Sequence, residues 1–376
     1  HNHAAMTLFR GLADDLELSE WLHEHIFPAE KAHVNREMVY WCSRLAIAEM
    51  ILSGTTTFCD MYLFEDQVAR AAKAAGVRCL AGEVLYDFPS PNYGPIEKGL
   101  EYTEALIARW KDDPLISIAV EPHSPYTCSP ELLRSASEIA CRHNVPLIIH
   151  LAETRDEIAQ VRERTGRSPV EHLADLGVLG NHLIAPHCVH LTEADMLLIA
   201  DSGTRVIHNP ESNMKLASGI SPVPELLSRN IPVGLGTDGC ASNNNLDMFA
   251  EMDTAAKLHK ASSLDPTVMD AVTVLRMATI DGAAALGMAE RIGSIETGKL
   301  ADIIVVDTRV PHLTPMYNPF SHLVYAAKGS DVRHSIINGR IVMENRRLMT
   351  VDLEEVFSIA THEAGRVRAW LKKETA

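Results

Sequence analysis

The stretch PLIIHLAET, residues 146–154, contains the pattern that decides the fold. An apolar run rich in isoleucine leads into His150, and Glu153 follows three residues later. The stretch HLIAPHCVHL (182–191) likewise leads into His187 and then His190, and VGLGTDG (233–239) leads into Asp238. Short apolar runs of this kind are typical of parallel strands buried on both faces. Each run therefore predicts a buried strand that ends in a reactive side chain.

Such strands alternate with amphipathic helical stretches as far as about residue 240, which is the layout of βα units. The helical stretches 36–53 and 64–75 are each followed by a glycine, the residue favoured just after a helix. Ser129 followed by Pro130 has the pattern of an N-cap and a first helical position. The seven predicted strands are residues 55–62, 77–86, 115–122, 146–151, 182–187, 205–209 and 231–237.

Seven such strands predict an α/β fold, a (β/α)₈ barrel of the TIM type, if an eighth strand lies directly before His1. We therefore expect the native protein to begin earlier, with that strand and the N-terminal part of a small β domain. From about residue 290 the pattern becomes rich in strands, and Asn338 with Gly339 predicts a hairpin. We expect a barrel at 1–290, a segment of a small accessory β-sandwich at 291–350 and a C-terminal helix packed on the body at 351–376.

Composition excludes several classes of protein. The net charge of −16 disfavours nucleic-acid polymers and anionic membranes as partners, because both reward clustered Lys and Arg. No apolar run approaches the roughly 18 residues of a membrane span. The seven cysteines are an odd number without a CxxC pair, which indicates a reducing compartment. We expect a soluble cytoplasmic protein, and a homo-oligomer remains open.

Candidate metal ligands fall at four predicted strand ends. His1 and His3 are two residues apart, so both imidazoles lie on one face of an extended segment. His150, His187 and Asp238 end later strands, and in a barrel these ends share one concave face. Imidazole nitrogens with one or two carboxylate oxygens suit zinc or another divalent transition metal. We expect a catalytic metal that lowers the pKa of bound water from ~15.7 to about 7 and so supplies hydroxide.

Each signal alone also has a structural explanation. HNH at residues 1–3 is equally explained as the remnant of a purification tag. A lone buried histidine is more often a hydrogen-bonded core residue than a ligand, and Asp238 precedes Gly239 as a turn residue often does. Packing requirements rarely place such residues at four separate strand ends, so the set as a whole favours a metal site.

These residues lie in segments that resemble the amidohydrolase superfamily and, within it, the 5-methylthioadenosine/S-adenosylhomocysteine deaminases. The resemblance spans essentially the whole chain. The matching segments are HNHAAMTLFRG (1–11), WLHEHIFPAE (21–30), SGTTTFCDMY (53–62), PHSPYTCS (122–129), HLAET (150–154), HCVHL (187–191), HNPESNMKLASG (208–219), GTDGCASNNNLDMF (236–249) and GKLADIIVVD (298–307).

The resemblance implies the role of each residue at the metal. His1, His3, His150 and Asp238 would hold one ion, and Glu153 would shuttle a proton to the ring nitrogen of the base. His187 would orient the attacking hydroxide, and Asp238 would also take the proton from the metal-bound water. Attack on C6 of adenine builds negative charge on the neighbouring ring nitrogen, so a carboxylic acid there has a proton to donate.

The resemblance also implies a substrate pocket and a single metal. Trp21 would line the pocket, Glu30 would bind ribose hydroxyls and His123 would contact the substrate. Without the resemblance, a half-buried aromatic, a surface carboxylate and a core histidine explain them equally well. Superfamily members with two metals carry a carbamylated lysine where this chain has His123. We therefore expect one ion per subunit, with zinc ahead of iron, manganese or nickel.

The expected reaction is hydrolytic deamination of an adenosine-type nucleoside to the inosine product and ammonia. Candidate substrates are 5′-methylthioadenosine, S-adenosylhomocysteine, 5′-deoxyadenosine and adenosine. Family members that prefer S-adenosylhomocysteine carry arginines before PHSPY, whereas residues 112–121 contain none and Arg109 lies upstream. This departure favours a neutral 5′ group, which we expect the loop at residues 88–95 to contact. Alternatives are a guanine or cytosine deaminase, an s-triazine chlorohydrolase and, more distantly, an inactive barrel scaffold.

Overall fold

A computed structural model describes residues 1–374 of the chain, and its larger part is a ring of parallel strands. Strand β2 pairs with β1 and with both β3 and β4, so the last two form one interrupted strand. Val120 between them bridges to Leu147 of the next strand. The strands are β1 (Thr57–Tyr62), β2 (Arg78–Leu85), β3 (Ile116–Ile118), β4 (Glu121–Pro122), β5 (Leu147–Ile148), β6 (Leu183–Pro186), β7 (Arg205–His208) and β8 (Val233–Leu235).

Residues 1–3 close the ring between β8 and β1. Asn2 forms a parallel bridge with Asp60, and the Met61 N–H donates to the Asn2 carbonyl at 3.1 Å. On the other side, the Asp238 N–H donates to the His1 carbonyl at 3.0 Å. This segment thus takes the eighth position of the barrel. The predicted (β/α)₈ fold is confirmed, and each of the seven predicted strands contains an observed one.

Helices surround the barrel and begin and end where the sequence signals lie. The first long helix is followed by Gly54 at φ 95° and the next by Gly76 at φ 77°. The Ser129 hydroxyl accepts the Leu132 N–H at 3.3 Å, as an N-cap does. The helices are α1 (Leu18–Glu20), α2 (Phe27–His33), α3 (Arg36–Ser53), α4 (Glu65–Ala75), α5 (Ile96–Trp110), α6 (Pro130–His143), α7 (Arg155–Thr165), α8 (Pro169–Asp175), α9 (Glu193–Ser202), α10 (Pro210–Lys215), α11 (Val223–Ser228), α12 (Cys240–Asn243), α13 (Met248–Ser263), α14 (Ala271–Met277), α15 (Ile280–Ala285), α16 (Pro319–Tyr325) and α17 (Leu353–Glu374), with 3₁₀ turns at Ala4–Phe9, Pro311–Leu313 and Gly329–Asp331 and a π-helix at Trp21–Ile26.

An antiparallel sheet follows the barrel. It is built in the order β12-β11-β10-β9 from β9 (Ile303–Val306), β10 (Val332–Ile337), β11 (Arg340–Glu344) and β12 (Arg347–Leu348). Asn338 at φ 50° and Gly339 at φ 75° form the predicted hairpin between β10 and β11. Helix α17 packs on α3. Residues 375 and 376 of the predicted C-terminal segment lie outside the described residues, and the domain limits at 290 and 350 stay predictions.

The core lies within the barrel and between its strands and helices, where Leu80, Ile116 and Leu147 are fully buried. All seven cysteines have free thiols, and Cys141 alone is exposed. No helix within residues 1–374 combines the length and the apolar character needed to cross a membrane.

Candidate active site

Four of the predicted site residues converge where the barrel strands end. The Nε2 atoms of His1 and His150 lie 3.1 Å apart. The Asp238 Oδ1 atom lies 3.1 Å from His3 Nε2 and 3.5 Å from His1 Nε2. The side chains are buried, except that His3 is half-buried. His1 therefore has a ligand atom within 4.8 Å of those of His3 and Asp238 on one side and of His150 on the other.

Backbone carbonyls fix the orientation of two of these imidazoles. His150 Nδ1–H donates to the His123 carbonyl at 2.8 Å, and His3 Nδ1–H donates to the Met61 carbonyl. Each Nε2 atom then faces the cluster and, when it carries no proton, offers the lone pair with which histidine ligates a metal. Asp238 Oδ2 accepts from two serine hydroxyls, while Oδ1 receives no hydrogen bond.

The cluster attracts positive charge. Burial lowers the pKa of His3, but the Asp238 carboxylate outweighs it and the pKa rises to about 9. Burial alone raises the pKa of Asp238, yet the charge of the neighbouring His3 and the hydrogen bond from Ser212 hold it well below its usual range. Lone pairs packed this closely repel one another unless a cation lies between them. Two groups of ligand-spaced atoms share His1: His1, His3 and Asp238 form one, and His1, His150 and His187 form the other. Imidazole nitrogens together with a carboxylate oxygen fit a divalent transition metal.

Glu153 and His187 lie beside this cluster. His187 Nε2 is 3.9 Å from Glu153 Oε2, and His187 Nδ1–H donates to Asn213 Oδ1 at 2.9 Å. The Glu153 side chain is half-buried, and its removal from water raises its pKa above the usual value. Its backbone N–H donates to the buried Glu157 carboxylate at 2.8 Å, which anchors the loop. A carboxyl with a raised pKa next to an oriented imidazole suits proton transfer.

The backbone around the site is strained. Ala152, His187, Cys188 and Asp238 all adopt left-handed conformations, with φ of 53°, 73°, 48° and 60°. A non-glycine residue in this region is energetically costly, and such residues cluster at functional sites. The turns at the ends of these strands thus hold the side chains at a cost in backbone energy.

A cavity of about 680 Å³ opens above the cluster. That volume lies within the roughly 300–1,000 Å³ of small-molecule sites. Most of its wall is apolar or aromatic. The wall includes Met6, Leu18, Trp21, Leu22, Ile26, Phe27, Glu30, Lys31, Tyr62, Val84, Tyr86, Phe88, Pro89, Pro91, His123, Tyr126, Glu153, His187 and Leu216.

All three residues predicted to bind substrate line this cavity. Glu30 accepts a hydrogen bond from the Tyr62 hydroxyl at 2.6 Å, and burial raises its pKa to about 7. Trp21 is buried and its indole N–H donates to the Ala13 carbonyl at 3.1 Å. Burial lowers the pKa of His123 to about 4, so this imidazole is neutral at physiological pH.

Other histidines and arginines near the motifs lie elsewhere. His208 ends β7 but pairs with His259, Nε2 to Nε2 at 3.0 Å, and His190 contacts the Ser218 carbonyl. Arg109 donates to Asp66 at 3.2 Å and is not among the residues of the cavity wall. No arginine is among the described residues of this wall.

Several supporting residues were not predicted from the sequence. Tyr62 holds Glu30, Ser212 and Ser242 hold Asp238, and Asn213 holds His187. Ser212 and Asn213 lie within the segment HNPESNMKLASG, and Tyr62 ends the segment SGTTTFCDMY. Their position in these segments was the only sign in the sequence that they could belong to the site. The sequence does not identify their partners, because these depend on which strands are neighbours.

The chain is similar to known proteins over most of its length. A family model described as the amidohydrolase family matches residues 1–342. A 5-methylthioadenosine/S-adenosylhomocysteine deaminase of Syntrophobacter fumaroxidans is 66% identical over 368 residues, covering 98% of this chain and 84% of the relative. A 5′-deoxyadenosine deaminase of Methanosarcina mazei is 47% identical, covering 97% and 84%. The crystal structure of an adenosine deaminase from Xanthomonas campestris with bound zinc is 42% identical, with a TM-score of 0.97 over 98% of this chain and 84% of that one.

Proposed function

The chain belongs to the amidohydrolase family, and on that basis we propose that it is a metal-dependent aminohydrolase that deaminates adenosine-type nucleosides. The products are the inosine derivative and ammonia. The proposed substrates are 5′-methylthioadenosine, S-adenosylhomocysteine, 5′-deoxyadenosine and adenosine, which the names of the relatives support. One observation carries the proposal: a single cavity contains members of the His/Asp cluster, Glu153 and the half-buried Glu30 with its partner Tyr62.

One zinc ion per chain is the cofactor we propose, held by His1, His3, His150 and Asp238. The convergent Nε2 atoms and the free Asp238 Oδ1 support this assignment, as does the zinc bound in the Xanthomonas campestris enzyme. A bound zinc ion lowers the pKa of a water molecule, so that hydroxide becomes available at neutral pH.

Three side chains move or hold protons in the proposed reaction. Asp238, which is ionised because its pKa stays low, accepts the proton of the water. Glu153 donates a proton to the ring nitrogen next to C6 as negative charge develops there. The amino group then leaves as ammonia with the proton that Asp238 took up, and Glu153 recovers a proton from the new C6 hydroxyl as the carbonyl of the inosine product forms. His187, fixed by Asn213, orients the attacking oxygen with its Nε2 atom.

The wall of the cavity supplies recognition of the nucleoside. Glu30 accepts hydrogen bonds from ribose hydroxyls in this proposal, and Tyr62 keeps its carboxylate in place. His123 is neutral and contacts the base through Nε2, because Nδ1 is occupied by the hydroxyls of Ser124 and Thr127, each at 3.0 Å. Trp21 forms an apolar part of the wall.

An assay of ammonia release tests the proposal. The metal-loaded protein is given each of the four adenosine derivatives and, in parallel, guanine and cytosine, and release of chloride is measured with a chloro-s-triazine. We expect turnover of adenosine derivatives and little of the others. Turnover of guanine, cytosine or the triazine without turnover of any adenosine derivative would contradict the proposal and assign the chain to another branch of the family. Metal analysis of the same sample is expected to give one zinc per chain.

A further inference from the structure

A buried carboxyl group binds the backbone of Glu153. Glu157 is 2% exposed and is not among the described residues of the cavity wall, so it does not contact substrate in the proposed site. Its Oε1 atom accepts the Ala152 N–H and its Oε2 atom accepts the Glu153 N–H, each at 2.8 Å. Both oxygens of one carboxyl group therefore hold two consecutive peptide groups, one of which belongs to the proposed proton shuttle.

These bonds depart from the usual pattern at the start of a helix. Glu157 is the third residue of α7, and Thr154 caps the helix by accepting the Glu157 N–H at 3.2 Å. In a capping box the side chain of the third residue returns to the N–H of the cap itself. Helices α8 and α9 follow that pattern, with Glu171 and Asp195 bonded to the N–H groups of their caps. The carboxyl group of Glu157 instead binds the two residues before the cap.

The turn held in this way is strained and connects two loops of the site. Ala152 has a left-handed φ of 53°, which is unfavourable for a residue with a Cβ atom. Its carbonyl accepts the N–H groups of residues 189 and 190, at 3.0 and 2.9 Å, from the loop that follows His187. Bonds on both sides of Ala152 thus hold the turn, and Glu157 supplies the one on the N–H side. The turn places Glu153 Oε2 at 3.9 Å from His187 Nε2.

We propose that Glu157 is a positioning residue for the proposed proton transfer, because it holds the turn from which Glu153 reaches the site; this inference rests on the proposed function. Glu157 acts through the backbone, since it binds N–H groups and not the Glu153 side chain. A general acid works only within hydrogen-bond reach of the atom that takes its proton. Loss of these bonds should therefore slow the chemical step more than it weakens substrate binding.

Glu157→Gln is the first test, and Asp195→Asn is its matched control. The amide keeps the size of Glu157 but presents its NH₂ group to one of the two N–H donors, so one hydrogen bond is lost. For the zinc-loaded protein we expect kcat to fall about tenfold or more, with little change in KM or zinc content, since a misplacement of ~1 Å costs up to about a hundredfold. Asp195 is 1% exposed and is likewise the third residue of its helix, outside the described cavity wall. Asp195→Asn should keep kcat.

The double variant Glu153→Gln/Glu157→Gln separates positioning from a general structural role. If Glu157 acts through Glu153, its replacement has no further target once the Glu153 carboxyl group is gone. We therefore expect Glu157→Gln to lower kcat less than about twofold in the Glu153→Gln background. An equal fold loss in both backgrounds would show that Glu157 acts on the fold as a whole and would overturn the inference. An unchanged kcat in Glu157→Gln alone would do the same.

A shorter acid gives an independent variant if Glu157→Gln does not fold. Glu157→Asp keeps a carboxyl group, but its side chain is one methylene shorter and cannot reach both N–H groups. We expect kcat to fall as in the amide variant, and a kcat equal to that of wild type would contradict the inference.

The inference and the proposed function fail in different ways. Normal kcat in the Glu157 variants, alongside deamination by wild type, would remove the positioning role and leave the proposed function intact. No deamination of any adenosine derivative by the zinc-loaded wild type would remove both.

Discussion

At the scale of single residues, two backbone carbonyls determine the chemistry open to His3 and His150. Because the Met61 and His123 carbonyls accept the Nδ1 protons, both Nε2 atoms face the site with their lone pairs. The two serine hydroxyls on Asp238 Oδ2 have the same effect, since they leave Oδ1 free. Three of the four proposed ligand atoms are thus oriented before any ion binds.

Glu153→Gln tests the proposed proton shuttle. The amide keeps the size of the side chain but has no acidic proton, so we expect kcat to fall by at least about a hundredfold, the lower range for loss of a general acid. Zinc content should stay at one per chain, because Glu153 is not among the proposed ligands. Kinetics and metal analysis on the same sample check both. Near-normal turnover would remove Glu153 from the mechanism.

At the scale of elements, the end of α3 connects the barrel to the small sheet. Gly54 has φ 95°, and a Cβ atom there would lie 3.0 Å from Val332 Cγ2 of β10 and 3.1 Å from Ile304 Cδ1 of β9. A side chain at this position is therefore opposed by both its backbone conformation and its neighbours. Glycine lets the helix end against the sheet.

Gly54→Ala should destabilise the protein more than Gly298→Ala. Gly298 has nearly the same φ, 94°, but a Cβ atom there meets nothing within 4 Å. The control thus carries the backbone strain alone, and Gly54→Ala adds crowding that costs about 1–3 kcal/mol. Urea unfolding of the two variants measures the difference. Equal losses would show that the sheet accommodates the extra methyl group.

Four carboxyl groups are buried where β1, β2 and β4 meet α4. Burial raises the pKa of Asp60 to about 6 and that of Glu83 to about 7, and it raises those of Glu65 and Glu121 well above their usual range. A carboxyl with a raised pKa binds its proton more tightly in the folded state. Its contribution to stability is complete below its usual pKa and is lost as the pH rises through the folded pKa.

Glu121→Gln should reduce this dependence on pH. Both carboxylate oxygens of Glu121 lack a hydrogen-bond partner, and the amide keeps the side chain's shape over Gly82. We expect the variant to have a higher Tm than wild type at pH 8 and a smaller difference at pH 5. The free energy of unfolding changes by up to about 1.4 kcal/mol per pH unit for one such group. Thermal unfolding at both pH values measures it. The exposed Glu354→Gln is the control, and a difference that does not change with pH would contradict the prediction.

At the scale of the whole molecule, the proposed ligands join distant parts of the chain. His1 and His3 lie between β8 and β1, His150 follows β5, and Asp238 follows β8. An ion bound by all four ties these segments together and stabilises only the folded state. Folding and metal binding should therefore be linked.

Removal of the metal tests this linkage. Chelation should abolish deamination and lower Tm by several degrees, and added zinc should restore both. His3→Ala should bind zinc weakly and show little change in Tm with chelator. Normal zinc content in His3→Ala would show that the ligand assignment is wrong.

The sequence alone determined the features that depend on neighbours in the chain. Strand and helix periodicity gave the barrel, Gly54 and Ser129 gave helix ends, and the spacing of His1 and His3 placed both on one face. Local steric and hydrogen-bonding preferences act over a few residues, so these features can be predicted without a fold.

Only the tertiary structure decided which distant groups meet. The Met61 carbonyl at His3, the Tyr62 hydroxyl at Glu30 and the Phe27 ring near Phe88 each depend on how separate elements pack. His208 shows the converse: it stands at a strand end like His150 and His187 but pairs with His259 instead. A strand end places a residue near the barrel opening, whereas the packing around it sets the side chain's partner.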